Sequence, residues 1–89
     1  MFRTSWANRA FDRMQQLVRD HPEMKAGFIF TLESLTIELG DAADTFGESR
    51  AGNRRLGFVG VLSVLVRVDS QNRTARIIDV RLRRHASRG

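Results

Sequence analysis

The chain has 89 residues, no cysteine, two histidines and a formal net charge of +5. This length predicts a single domain over residues 1–89. The composition excludes disulfides, thiolate metal ligands and cysteine nucleophiles, and it favours neither a metal site nor a cofactor. No apolar run approaches the ~20 residues of a membrane helix, and charges interrupt the N-terminal segment. We therefore expect a cytoplasmic protein that does not contact the membrane.

The charge divides unevenly along the chain. Residues 1–49 carry five basic and eight acidic side chains, whereas residues 50–89 carry ten arginines and two aspartates. A guanidinium binds phosphate or carboxylate with two parallel hydrogen bonds. The second half is therefore predicted to bind a polyanion or an acidic protein. A GC-rich genome would also raise the arginine content, but it would not explain the segregation.

The first half reads as a short strand followed by two helices. Residues 1–5 tolerate a strand, and an apolar stripe from Trp6 to Val18 then indicates a helix that ends before Pro22. A second helix is expected from Pro22 to Leu39, with Gly40 as its end. Ile29, Phe30 and Ile37 widen its apolar surface. The short link predicts an antiparallel helix hairpin.

The second half reads as a loop and three strands. Residues 40–53 are rich in Gly, Asp and Ser and predict a loop. Strands are expected over residues 54–59, 61–69 and 74–82, separated by turns at Gly60 and at residues 70–73. The middle strand has apolar residues on both of its faces, which predicts a central strand covered on both sides. Residues 83–89 are expected to form a mobile tail.

These elements predict a two-layer α+β domain, in which the helix hairpin packs on an antiparallel meander. Four segments carry a resemblance to the RelE/ParE superfamily, the toxins of bacterial type II toxin–antitoxin systems. They are FRTSWANRAFDRMQQL, GESRAGNRR, SVLVRVD and ARIIDVRLR, and their order and spacing match over nearly the whole chain. The resemblance implies a RelE/ParE-like fold and a cognate antitoxin as partner. The superfamily includes ribosome-dependent mRNA endonucleases and gyrase poisons, so the fold leaves the activity open.

RelE-like cleavage of RNA requires positively charged side chains that contact the phosphate. It also requires groups that take the proton from the 2′-OH and protonate the leaving oxygen. The resemblance assigns Arg54, Arg55, Arg83 and His85 to such catalytic positions. Adjacent strand residues point to opposite faces, so Arg54 and Arg55 are not expected in one site. The chain departs from the endonucleases at two positions: the phosphate-contacting arginine falls on Ser63 and the tyrosine on Val66.

A second group of arginines is assigned to nucleic-acid or partner binding: Arg50, Arg67, Arg76, Arg81 and Arg84. Each has a plainer interpretation. The cluster Arg81, Arg83 and Arg84 at the end of the last strand would then only protect a sheet edge. Arg50 with Glu48 would form a weak local ion pair. Asp69 is expected to be a turn residue, and Asp79 to pair with Arg76 or Arg81.

Three functions remain open at this point. The first is a toxin whose basic sheet face binds RNA, the ribosome or its antitoxin. The second is a ParE-like gyrase-binding protein without nuclease chemistry. The third is an inactive or purely binding module, although Phe58 is the only aromatic residue in the meander for stacking on bases.

Overall fold

The computed structural model describes residues 1–83, so the predicted tail lies almost wholly outside the described residues. Two helices and five strands follow one another in the expected order. Four of the five strands were predicted, and one was not. Short 3₁₀ turns at Pro22–Met24 and Ala43–Thr45 flank the second helix. The elements are β1 (Arg3–Trp6), α1 (Asn8–Asp20), α2 (Lys25–Ala42), β2 (Glu48–Arg50), β3 (Arg54–Val59), β4 (Leu62–Asp69) and β5 (Thr74–Leu82).

The strands form one sheet in the order β1-β5-β4-β3-β2. The predicted antiparallel meander is confirmed as β3, β4 and β5. Two strands extend it: β1 joins β5 in parallel, and β2 joins β3 in antiparallel orientation. The prediction of an uninterrupted loop over residues 40–53 is therefore wrong. β2 has only three residues, too few to show a strand period, and its pairing with β3 stabilises it.

The second helix differs from its prediction at both ends. Pro22 opens a 3₁₀ turn rather than α2 itself. Gly40 does not end the helix, because α2 continues to Ala42. Leu39 and Ala43 are fully buried on either side of this glycine, and their burial outweighs the ~1 kcal/mol that a helical glycine costs. Over residues 1–83, neither helix has the combination of length and apolar character needed to cross a membrane.

Both helices lie on one face of the sheet, and the core lies between the two layers. β4 shows the arrangement most clearly, because its residues alternate between buried and more exposed. The prediction that both of its faces are covered is wrong, since Leu65 is apolar but lines an open groove. The buried apolar residues are Phe2, Ala10, Met14, Phe28, Leu35, Leu39, Ala43, Phe46, Val59, Leu62, Val64, Val66, Val68, Ala75, Ile77 and Val80.

A buried threonine fixes α2 to the turn between β3 and β4. Thr31 Oγ1 donates to the Gly27 carbonyl at 2.7 Å and accepts the Val61 backbone N–H at 3.0 Å. Gly60 has a φ of +53°, and a Cβ there would overlap the Thr31 side chain. Glycine is needed at position 60 both for its backbone conformation and for this close approach. The contact sets how the sheet lies beneath the helices.

Candidate functional site

The sheet face opposite the helices carries a straight row of four arginines. Arg50 on β2 stands opposite Arg54 on β3, and Arg54 stands opposite Arg67 on β4. Arg67 in turn stands opposite Arg76 on β5. Neighbouring strands lie about 4.8 Å apart, so the arginine row crosses four strands over roughly 14 Å. It brings together three predicted binding residues and one predicted catalytic residue.

Little in the described part of the chain neutralises the arginine row. Arg50 pairs with Glu48 at 3.2 Å on the exposed edge strand, which confirms the predicted local ion pair. Arg54 Nε donates to the Ala51 carbonyl at 2.9 Å. Arg67 and Arg76 have no ion pair or side-chain hydrogen bond with any residue in 1–83. Like charges directly opposite on a sheet destabilise it by about 0.2–1 kcal/mol per pair, so a bound anion would relieve a cost built into the fold.

Beside the arginine row lies an open groove of about 530 Å³. Its floor is apolar, because Leu56 and Leu65 stand opposite each other on β3 and β4. Its volume lies within the range of small-molecule sites. The groove is lined by Arg50, Ala51, Arg54, Leu56, Ser63, Leu65, Asp79 and Arg81.

Asp79 is the one acidic side chain among the described residues that line the groove. Its side chain is 18% exposed and lies 3.4 Å from Arg81 Nε and 3.8 Å from Arg13 Nε. The backbone N–H of Val80 also donates to it at 3.0 Å. The predicted pair with Arg81 is confirmed, whereas no pair with Arg76 forms within residues 1–83. The pair with Arg13 joins α1 to the open face.

An irregularity in the sheet accompanies this aspartate. The β4–β5 register shifts between Leu65, which faces Asp79, and Val66, which faces Ile77. Ile78 is therefore the extra residue of a β-bulge. Bulges redirect the side chains beside them, and here the shift lies directly before Asp79.

The far end of the open face holds Phe58 and Arg83. The Arg83 guanidinium carbon lies 5.1 Å from the centre of the Phe58 ring, and Arg83 Nη1 donates to the Gly60 carbonyl at 3.1 Å. Phe58 is 63% exposed and stands opposite Ser63. Phe58 and Arg54 lie four residues apart on β3, roughly 13 Å along the strand, so Arg83 is separated from the arginine row.

Arg55 lies on the other side of the sheet, as alternation predicts. Its Nε donates to the Phe46 carbonyl at 2.6 Å, and its Nη2 donates to the Gly47 carbonyl at 3.3 Å. These bonds hold the segment that leads into β2. Arg54, Arg55 and Arg83 therefore do not form one cluster, and the predicted site residues Arg84 and His85 lie outside the described residues.

The two positions that depart from the endonucleases have different surroundings. Ser63 lines the groove, whereas Val66 is fully buried under the helices. The described groove residues include no histidine, lysine or tyrosine. No group of three His, Cys, Asp or Glu side chains in residues 1–83 could hold a metal ion. The arrangement can bind anions, and among the described residues of the groove Asp79 is the one proton acceptor of carboxylate type.

Sequence reasoning identified the four arginines but not their alignment, which depends on strand register. One local signal was present. A two-residue turn at Gly60 and Val61 pairs Val59 with Leu62, and counting outward places Arg54 opposite Arg67. The contact between Arg13 and Asp79 had no such signal, because the two residues are far apart in the sequence.

No protein-family description matches the chain, and no curated protein matches it. Two solved structures resemble it in three dimensions. A chain of the chromosomal ParDE toxin–antitoxin system from P. aeruginosa superposes with a TM-score of 0.75 and 13% identity, covering 94% of this chain and 98% of that one. The RelBE2 toxin–antitoxin complex from Mycobacterium tuberculosis gives a TM-score of 0.57 and 16% identity, covering 92% and 91%. The chain thus has the RelE/ParE-like α+β fold.

Proposed function

We propose that this protein is the toxin-like component of a type II toxin–antitoxin system, and that its open sheet face binds an anionic partner. The arginine row carries the proposal. Its length of roughly 14 Å exceeds a single phosphate or carboxylate and suits a polyanion. The RelE/ParE-like fold supports the toxin assignment, because both similar structures come from toxin–antitoxin systems.

The first partner we propose for this face is RNA, either a message or the ribosome that holds it. Phosphates would lie along Arg54, Arg67 and Arg76, and the apolar floor would contact sugar or base. A cognate antitoxin would bind the same protein, and its acidic side chains could compete for the same arginines. No cofactor is proposed, and the location that fits this function is the cytoplasm.

A ParE-like role, binding gyrase without cleaving RNA, is the second candidate. The favouring observation is the described groove, which offers Ser63 where the endonucleases have a phosphate-contacting arginine. Val66 is buried where they have a tyrosine. The arginine row would then contact an acidic surface of gyrase. This candidate predicts growth arrest with a DNA-damage response and intact messenger RNA.

The test is inducible expression in a bacterium, alone and together with the neighbouring gene, scored by growth and by RNA integrity. We expect arrest that the neighbour relieves. Cuts in translated messages would assign RNA as the target, and DNA damage with intact messages would assign gyrase. Normal growth of cells that contain the folded protein would contradict the toxin assignment.

The role of the arginine row needs a matched pair of variants. Arg54→Ser/Arg67→Ser removes two charges from the open face, whereas Arg9→Ser/Arg19→Ser removes two exposed charges from α1. We expect the first variant to lose arrest and the second to retain it. Equal toxicity of both variants would show that the row does not contact the target.

A further inference from the structure

A second surface, on the helix side of the molecule, has features that the open sheet face does not explain. α2 buries Phe28, Leu35 and Leu39 against the sheet. Its outer side is also apolar: Ile29 is 49% exposed, Phe30 63% and Ile37 64%. The helix is therefore apolar on two sides.

Helical periodicity makes these exposed residues one stripe. Phe30 and Ile37 lie seven residues apart, which is two turns, and Ile29 borders them. A helix at the surface of a protein normally has a polar outer face, and an apolar one indicates an interaction surface. The sequence indicated that these three residues widen the apolar surface of α2, and the core is completed without them.

Carboxylates accompany the stripe. Glu33 lies between Phe30 and Ile37 on the same side of α2, and Asp41 continues that side one turn after Ile37. Glu38 lies on the flank. All three are exposed, and none forms an ion pair within residues 1–83. Lys25 is the one basic residue of α2.

We propose that this α2 face, defined as Ile29, Phe30, Glu33, Ile37 and Asp41, is the docking site for an amphipathic helix of a partner protein with lysine or arginine along its flanks. The charge pattern selects this occupant. Apolar side chains at positions i, i+3 or i+4, and i+7 of the partner would cover the stripe. Its basic residues would pair with carboxylates that the described chain leaves unpaired.

The same charges argue against other occupants. An acidic segment or an anionic membrane surface would be repelled by the three carboxylates. A second copy in antiparallel contact would centre on Glu33 and place two glutamates together. The length also fits, because the 18 residues of α2 extend about 27 Å, enough for three or four turns of a partner helix.

The experiment uses two labelled synthetic helices that differ only in charge. Both carry leucines at helical spacing, one with lysine flanks and the other with glutamate flanks. Binding to the full chain is followed by fluorescence anisotropy at low and high salt. We expect the lysine-flanked helix to bind and its affinity to fall in high salt. The arginine row would itself attract glutamates, so the two helices are compared on Arg54→Ser/Arg67→Ser, where we expect the glutamate-flanked helix to bind at least tenfold more weakly.

Three variants locate the site. Phe30→Ser/Ile37→Ser removes two exposed apolar side chains and should weaken the lysine-flanked helix about tenfold, since 1.4 kcal/mol corresponds to a factor of ten. Glu33→Gln/Asp41→Asn should weaken the binding of this helix severalfold and reduce the salt dependence of that binding. Arg54→Ser/Arg67→Ser, on the other side of the molecule, should leave binding unchanged. Circular dichroism verifies that each variant is folded.

Several outcomes would overturn the proposal. These are no binding of the lysine-flanked helix, equal binding of the two helices to Arg54→Ser/Arg67→Ser, or binding of the lysine-flanked helix that the α2 variants leave unchanged. A self-association seen by sedimentation and abolished by Phe30→Ser/Ile37→Ser would assign the face to a second copy instead. The toxin assignment does not depend on this result, because it is tested by growth arrest in a separate experiment.

Discussion

Arg54 and Arg67 stand directly opposite each other on β3 and β4, with Arg50 and Arg76 continuing the row on either side. Cross-strand neighbours on one face are the contacts that most affect sheet stability, and two like charges there oppose folding. The protein therefore carries an electrostatic cost at the place where it offers most positive charge to a partner. This relationship connects stability with binding and can be measured directly.

Replacing Arg67 with threonine should stabilise the isolated protein. The change removes repulsion toward both Arg54 and Arg76 and introduces a residue that favours strands. We expect the free energy of unfolding to rise by about 0.5–1 kcal/mol at low salt. The gain should shrink at high salt, where exposed charges are screened. Urea denaturation at two salt concentrations measures both effects.

Arg3→Thr is the matched control for that substitution. Arg3 is exposed on the edge strand β1 and stands opposite Thr74 rather than another arginine. Its replacement should change stability by less than about 0.5 kcal/mol. Equal effects of the two substitutions, or destabilisation by Arg67→Thr, would show that repulsion in the arginine row is negligible.

Thr31→Val should destabilise the fold by about 1–3 kcal/mol, because it leaves the Val61 N–H without its acceptor. For a domain of this size each kcal/mol lowers the melting temperature by about 4–8 °C. Thr36→Val is the control. Thr36 makes the same type of bond, to the Leu32 carbonyl at 2.9 Å, but at an exposed position. Thermal unfolding of the two variants should differ clearly, and similar melting temperatures would argue against the connection between Thr31 and the turn.

Gly60→Ala should be more damaging than Gly52→Ala. Both glycines have positive φ, +53° and +73°, so alanine is strained by about 1 kcal/mol at either position. Only at position 60 would the new methyl group also overlap Thr31, while at position 52 the nearest atom is Arg54 Nε at 3.8 Å. Thr31 cannot rotate away without breaking its bond to Val61. We expect a further loss of at least about 1 kcal/mol at position 60, measured by denaturant unfolding.

The turn between β4 and β5 gives a pH-dependent prediction. Asn72 donates its backbone N–H to Asp69 Oδ1 at 3.0 Å and its side-chain amide to Oδ2 at 2.8 Å. These bonds lower the pKa of Asp69 below its usual 3.8, with the backbone bond as the larger cause. A depressed pKa means that the carboxylate stabilises the fold above pH 3.8. This stabilisation is lost as the pH falls through the lower pKa of the folded state.

NMR titration of the Asp69 carboxyl group tests this prediction. Asn72→Ala removes the side-chain bond and should move the pKa of Asp69 back toward 3.8. Gln71→Ala is the control, because Gln71 contributes only through its backbone N–H. An unchanged pKa in Asn72→Ala would show that the side-chain amide does not act on Asp69.

The sequence predicted the helices and strands that have a clear local hydrophobic period. It did not predict the features that depend on pairing between residues far apart in the chain. The helix ending at Asp20 and the strands β3 to β5 followed from apolar spacing and turn residues. β2 was missed because three exposed residues have no period of their own. Gly40 was misread because helix propensity weighed less than the burial of Leu39 and Ala43.

The candidate site was predicted as a set of residues rather than as a geometry. Alternation correctly separated Arg54 from Arg55, and the basic character of the second half identified all four members of the arginine row. Their alignment required the register of three strand pairs. The position of Asp79 required a bulge and a contact from α1, neither of which composition or local pattern could indicate.

The parallel pairing of β1 with β5 also affects how the protein is made. β1 precedes the other strands in the chain, but it has no partner until residues 74–77 have followed it. The arginine row is likewise incomplete until Arg76 has been added to the chain. The α2 face consists of residues that are translated long before either event. A growing chain therefore contains all the residues of the α2 face before Arg76 completes the arginine row.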